Sequence, residues 1–228
     1  HIDLCKIYID DTYKQFMETN MSLRIGDTAT NFTVDTTSGP INFHDWIGDS
    51  WCFFFSHPAD FTPVCTTEMG RTAQLSEQFK ARHTKPLGLS TDSVAEHKAW
   101  IHDVDETQNT TVDFPIVADA DLKVAQMYGM IHPNESSTAA VRSVFIIDPN
   151  KKIRLTMTYP MNVGRNFDEI LRVIDALQAG DKYGVAMPAD WTPGARVIIP
   201  PSVSNADATA KFPQGFDEVK PYLRYTTI

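Results

Sequence analysis

A chain of 228 residues with 42% apolar and 21% charged side chains has the make-up of a globular protein, long enough for one large domain or one domain with a small annex. Its formal charge of −9 argues against a nucleic-acid partner or an anionic membrane surface, both of which call for concentrated Lys and Arg. No apolar run approaches the roughly 18 residues of a membrane-spanning helix, and the N-terminus lacks the basic segment and apolar stretch of a secretory signal.

The first twenty residues do not merge into the pattern that follows, and "MSLRIGD" from Met21 reads as a natural start, so residues 1–20 are expected to be an N-terminal extension or an expression leader. "NFTVDT" (31–36) alternates and "TSGP" (37–40) has turn chemistry, which predicts a hairpin. "WCFFFS" (51–56) is continuous and aromatic, as expected of a central strand buried on both faces. A helix is predicted over 63–81, a buried strand at "KPLGLST" (85–91), and a helix from Ser93 to about Val104 with Val94, His97, Trp100 and Ile101 spaced by three and four. "FPIVAD" (114–119) reads as a short strand and 120–130 as a short helix. "VRSVFIID" (141–148) and "IRLTMTY" (153–159) flank the turn "PNKK".

The clearest helix is 166–180, with Asn166 as N-cap, Glu169 placed for a capping box and Gly180 as its stop. After it, six of the fourteen prolines fall within 181–228 and periodicity fades. That stretch reads as a smaller C-terminal module with too little apolar pattern for a core of its own, beside a main domain at 21–180. Alternating strands and helices predict an α/β fold with a mixed sheet flanked by helices. The closing hairpin beside a helix fits a thioredoxin-like layout, although periodicity alone does not separate that from other α/β folds.

Cys5, Cys52 and Cys65 are an odd count with no C-x-x-C pair. They fit neither a disulfide framework nor a four-ligand zinc site, so no metal or cofactor is expected and a reducing compartment, read as the cytoplasm, is. Cys65 stands apart. Thr62 and Pro63 have the order of an N-cap and the first helical residue, which puts Cys65 in the first turn of a helix. There the positive end of the helix dipole and unpaired N–H groups favour thiolate over thiol. The strand before it places the sulfur at the carboxyl end of the sheet, where α/β sites form. The alternative for any buried cysteine is an inert apolar role, and that is the reading for Cys52.

"PADFTPVCTTE" (58–68) resembles the P-x-x-x-T-x-x-C signature of the peroxiredoxins, and "FSHP", "GLSTDS", "FPIVAD", "YPMNVGRNFDEILRVIDALQ" and "YLRYT" resemble its one-cysteine subfamily. The resemblance covers nearly the whole chain from Leu23 to Thr226. It implies that Cys65 is the peroxidatic nucleophile, that Thr62 hydrogen-bonds the peroxide, that Pro58 shields the sulfur and that Arg142 stabilises the thiolate and the charge of O–O cleavage. It further implies that His57 shapes the pocket, that Glu68 orients the arginine and that Arg165 is a second pocket arginine. No cysteine follows Cys65, so a sulfenic acid would need an external thiol, glutathione or a thioredoxin-type reductant. A homodimer is expected from the family habit. Two other readings compete: an acyl hydrolase built on Ser50 and His44, whose carboxylate position falls on Asn150, and a holdase or peroxide sensor relaying oxidation through Cys65.

Overall fold

The computed structural model describes residues 23–228, so the expectations for residues 1–20 and for Cys5 lie outside the described residues. The chain divides into two compact units. One runs to Ser76 and includes His83–Arg165; the other joins Glu77–Arg82 to Asn166–Ile228.

In the first unit the chain runs through β1 (Thr33–Thr36), β2 (Gly39–Asn42), α1 (Phe43–Ile47), β3 (Trp51–Ser56) and α2 (Pro63–Gln74). After α3 (Ser76–Ala81) it continues with β4 (Thr84–Ser90), α4 (Val94–Gln108), β5 (Ile116–Ala118), α5 (Lys123–Met127), β6 (Arg142–Ile147) and β7 (Ile153–Tyr159). Seven strands form one mixed sheet in the order β2-β1-β5-β4-β3-β6-β7. The hairpin expected from "TSGP" closes at Thr36↔Gly39, with Gly39 at φ 97°, a left-handed value that favours glycine.

All six residues of β3 are buried, because β4 pairs with it in parallel and β6 antiparallel. On one face Phe54 meets Tyr128 edge-on at 5.0 Å within a core that also holds Phe32, Phe43 and Phe145. Phe55 pairs with Val144, so the start of β6 at Arg142 lies level with the residue just past the end of β3. Ser56 fastens that junction: its Oγ donates to Val141 O at 2.6 Å and accepts from Ser143 N.

Several helix ends differ from the sequence reading. The helix expected over 63–81 breaks at the buried Leu75, whose backbone sits at φ −95°, ψ 9° and bonds back to Arg71 and Thr72. The helix expected from Ser93 extends to Gln108, capped by a Ser93–Glu96 capping box and ended by Asn109 in the left-handed conformation. The expected Asn166–Glu169 box is half made: Asn166 Oδ1 accepts from Asp168 N and Glu169 N, but Glu169 pairs with Arg172 Nη2 at 2.8 Å instead.

The second unit holds that helix, α6 (Phe167–Tyr183), which runs past Gly180 and ends at Gly184, where φ is 58°. β8 (Val197–Ile198), α7 (Asn205–Lys211), β9 (Asp217–Lys220) and β10 (Leu223–Thr226) follow, the strands forming a small sheet in the order β8-β10-β9. Contrary to expectation, this unit has its own apolar cluster of Val185, Trp191, Val197, Ile199, Ala208 and Phe212, joined by Ala176, Ala179 and Tyr183 of α6. Several of these residues come from irregular backbone, which leaves no period to read. Among the described residues no helix is long and apolar enough to cross a membrane.

Candidate active site

The loop 57–62 carries the chain from the end of β3 into α2. Phe61, exposed and held at φ 55°, turns it, and extended Thr62 with Pro63 starts the helix, so Cys65 is its third residue. Thr62 holds the N-cap position but its hydroxyl donates to Ala59 O at 2.8 Å, tightening the loop rather than capping the helix. With no side-chain cap, the N–H groups of the first turn face a site that favours an anion.

Cys65 is buried, and Arg142 Nη1 approaches its sulfur to 3.3 Å. The same nitrogen donates to Glu68 Oε2 at 2.7 Å, while Nε and Nη2 donate to Met161 O. Glu68, one turn after Cys65, also receives Arg165 through Nε at 2.9 Å, Nη2 at 2.6 Å and the backbone N at 2.8 Å. Arg165 Nη1 is fixed in turn on the carbonyls of Ser56 and Ser143, and its guanidinium lies 5.0 Å from the Phe55 ring centre. Burial pushes the Glu68 carboxyl up, but the charge and hydrogen bonds of Arg165, joined by Arg142, outweigh it and hold the group below the usual carboxylate range. Two guanidiniums against one carboxylate leave one positive charge in a buried pocket beside the sulfur, a setting that suits an anion.

The structure thus brings together Cys65, Arg142, Glu68 and Arg165, with Thr62 at the helix entrance. Pro58 lies half-buried in the loop. His57 is buried, and its Nε2 contacts Asp60 Oδ1 at 2.8 Å rather than any group of the arginine cluster. Burial holds its pKa below the ordinary histidine value, against the pull of the Asp60 hydrogen bond. Sequence reading missed Asp60 and His97, which contact each other at 2.6 Å. Together with His57 and Asp92 they place candidate metal-ligand atoms within 4.8 Å of one another, and within this group Asp60 hydrogen-bonds to both histidines. Cys52 is fully buried in β3, and burial pushes its thiol far up, as an inert packing role requires. His44, in α1, has its Nε2 against Ala29 O at 2.7 Å, which gives the hydrolase reading no support.

Residues 25–156 match the AhpC/TSA family model, and residues 176–215 match the C-terminal domain of 1-Cys peroxiredoxin. A 1-Cys peroxiredoxin of Dictyostelium discoideum is 52% identical, the match spanning 90% of this chain and 85% of that protein. The chain belongs to the one-cysteine peroxiredoxins of the AhpC/TSA family. It is therefore a thiol-dependent peroxidase, an oxidoreductase. A mitochondrial peroxiredoxin of Saccharomyces cerevisiae is 53% identical over 93% of this chain and 84% of its own. Among solved structures, a yeast mitochondrial 1-Cys peroxiredoxin, studied for thiol resolution through the glutathione and thioredoxin systems, superposes with a TM-score of 0.86 at 54% identity, covering 90% of this chain and all (100%) of its own. A mutant peroxiredoxin 6 of Arenicola marina gives a TM-score of 0.86 at 46% identity, covering 90% of this peroxiredoxin and 98% of its own chain. The thioredoxin-like mixed sheet expected from the sequence is the fold these relatives share.

Proposed function

We propose that Cys65 reduces hydrogen peroxide and alkyl hydroperoxides. The observation that carries this is the 3.3 Å approach of Arg142 to the Cys65 sulfur, inside a buried cluster with one unmatched positive charge. The thiolate attacks the terminal peroxide oxygen; an S–O bond forms, the O–O bond breaks, and the departing oxygen takes up a proton to leave as water or an alcohol. Cys65 is then a sulfenic acid. An external thiol attacks that sulfur, water leaves, and a second thiol releases the mixed disulfide, returning Cys65 as a thiol. Glutathione or a thioredoxin-type protein fits the role, since Cys52 is sealed in β3 and no cysteine follows Cys65. In this reading Thr62 and Pro58 form the lip over the sulfur, Arg142 stabilises the developing charge, and Glu68 with Arg165 holds Arg142 in place.

The Arg142→Lys variant tests the arrangement. An ammonium cannot at once reach the sulfur, Glu68 and the Met161 carbonyl as the planar guanidinium does. The second-order rate with hydrogen peroxide is expected to fall about 10²-fold, the scale for losing one preorganised donor. An unchanged stopped-flow rate would remove Arg142 from the mechanism.

We further propose a homodimer, as the family habit implies; a stable monomer at micromolar concentration in sedimentation would contradict it. Two free cysteines among the described residues fit a reducing compartment. The cytoplasm is the compartment proposed, and cell fractionation separates it from the mitochondrion of the yeast relative.

A further inference from the structure

His57, Asp60 and His97 form a buried row whose protons the hydrogen bonds assign. His97 Nε2 lies 3.1 Å from Val117 O, which only accepts, so that nitrogen carries a hydrogen. His97 Nδ1 lies 2.6 Å from Asp60 Oδ2. Burial pushes Asp60 up, but its hydrogen bonds to His57 and His97 outweigh that and hold it below the usual carboxylate range. His97 is thus held between the Val117 carbonyl and the Asp60 carboxylate. Asp60 Oδ1 accepts from His57 Nε2 at 2.8 Å, which makes His57 the Nε2–H tautomer. Burial, joined by the neighbouring His97 and Arg165, holds the His57 pKa below the ordinary histidine value against the pull of Asp60.

This leaves His57 Nδ1 as a bare acceptor. Among the described residues it is one of two buried side-chain polar atoms without a protein partner, on a residue 1% exposed. A buried lone pair without a donor costs about 1–3 kcal/mol, and such an exception calls for a use. The ring lies 5.1 Å from Trp100, whose Nε1 donates to Thr66, the residue after Cys65, and the residue before His57 supplies a carbonyl to Arg165. The missing partner is a donor, and a hydroperoxide brings one in its O–H, whereas a thiolate brings none.

We propose that Asp60 and His97 are positioning residues for the peroxidase reaction: they lock His57 in the tautomer whose Nδ1 accepts the O–H of the hydroperoxide. The inference rests on Cys65 being the nucleophile. His57 contributes to substrate orientation through this bond, and the bond orders the peroxide for attack without changing the sulfur.

The test compares two electrophiles on the same sulfur. Hydrogen peroxide carries an O–H; in iodoacetamide the reacting carbon does not. Oxidation and alkylation of Cys65 are followed by mass spectrometry on wild type, Asp60→Leu, His57→Phe and Asp60→Asn, with thermal unfolding showing that each is folded. In Asp60→Leu and His57→Phe the peroxide rate is expected to fall about tenfold, the loss of roughly one hydrogen bond, with alkylation unchanged within about twofold. Asp60→Asn is expected to recover most of the rate lost in Asp60→Leu. Its amide oxygen still accepts from His57 Nε2, and its N–H₂ takes the place of the oxygen that faces His97 Nδ1. If Asp60→Leu fails to fold, His57→Phe, which keeps a ring beside Trp100, decides alone. Equal slowing of both reactions, or no slowing, overturns the proposal and makes the row a structural brace. Failure of peroxide to oxidise Cys65 in wild type would overturn the nucleophile reading as well, so the two failures are distinct.

Discussion

Cys65→Ser is expected to abolish turnover, with peroxide consumption falling on the order of 10⁴-fold or more, because a hydroxyl does not ionise in this pocket and no other group replaces it. Cys52 is no substitute. It sits in a strand whose six residues are all buried, and desolvation keeps its sulfur protonated. The protein's fold is expected to survive the change, since serine differs by one atom and Glu68 still joins both arginines. Thiol-coupled peroxide turnover with an unchanged melting temperature checks both halves. Residual turnover above a few per cent would mean a second reactive thiol.

The second large effect is on stability. Glu68→Gln keeps the shape of the side chain but leaves two buried guanidiniums facing an amide. Breaking a buried pair in this way costs about 3–5 kcal/mol, read as a lower urea midpoint. The same cluster sets an acid limit. The folded carboxyl lies below its ordinary range, so its stabilisation is fully present above the unfolded value of about 4.3 and is lost as pH falls through the lower folded value. Wild type is therefore expected to lose stability steeply below about pH 4, whereas Glu68→Gln, already without the carboxylate, shows a shallower slope there. A loss under about 1 kcal/mol would place Glu68 among weak surface pairs.

Local chemistry was legible in the sequence; pairing at a distance was not. Cys65 shows itself because Thr62, Pro63 and the preceding apolar strand are its immediate neighbours, and β3 shows itself because six buried residues in a row leave one reading. Arg142 lies 77 residues from Cys65, and Arg165 lies 97 from Glu68, so only the family resemblance singled them out. Asp60 and His97 passed unnoticed because a loop aspartate and a helical histidine 37 residues apart carry no shared pattern. The Thr62 cap failed for the opposite reason: the local rule was right about position, but the Ala59 carbonyl won its hydroxyl. The core of the second unit escaped because Val185, Trp191 and Ile199 sit outside helices and strands, where no period marks them.

The most direct test mixes reduced protein with one equivalent of hydrogen peroxide, without a thiol, and maps the product by mass spectrometry in the presence of a sulfenic-acid trap. The expected result is one adduct per chain, on Cys65. Excess peroxide adds two oxygens to that residue instead, and glutathione or a thioredoxin system restores turnover. A dominant Cys52–Cys65 disulfide would contradict the one-cysteine cycle, because forming it requires β3 to leave its place between β4 and β6.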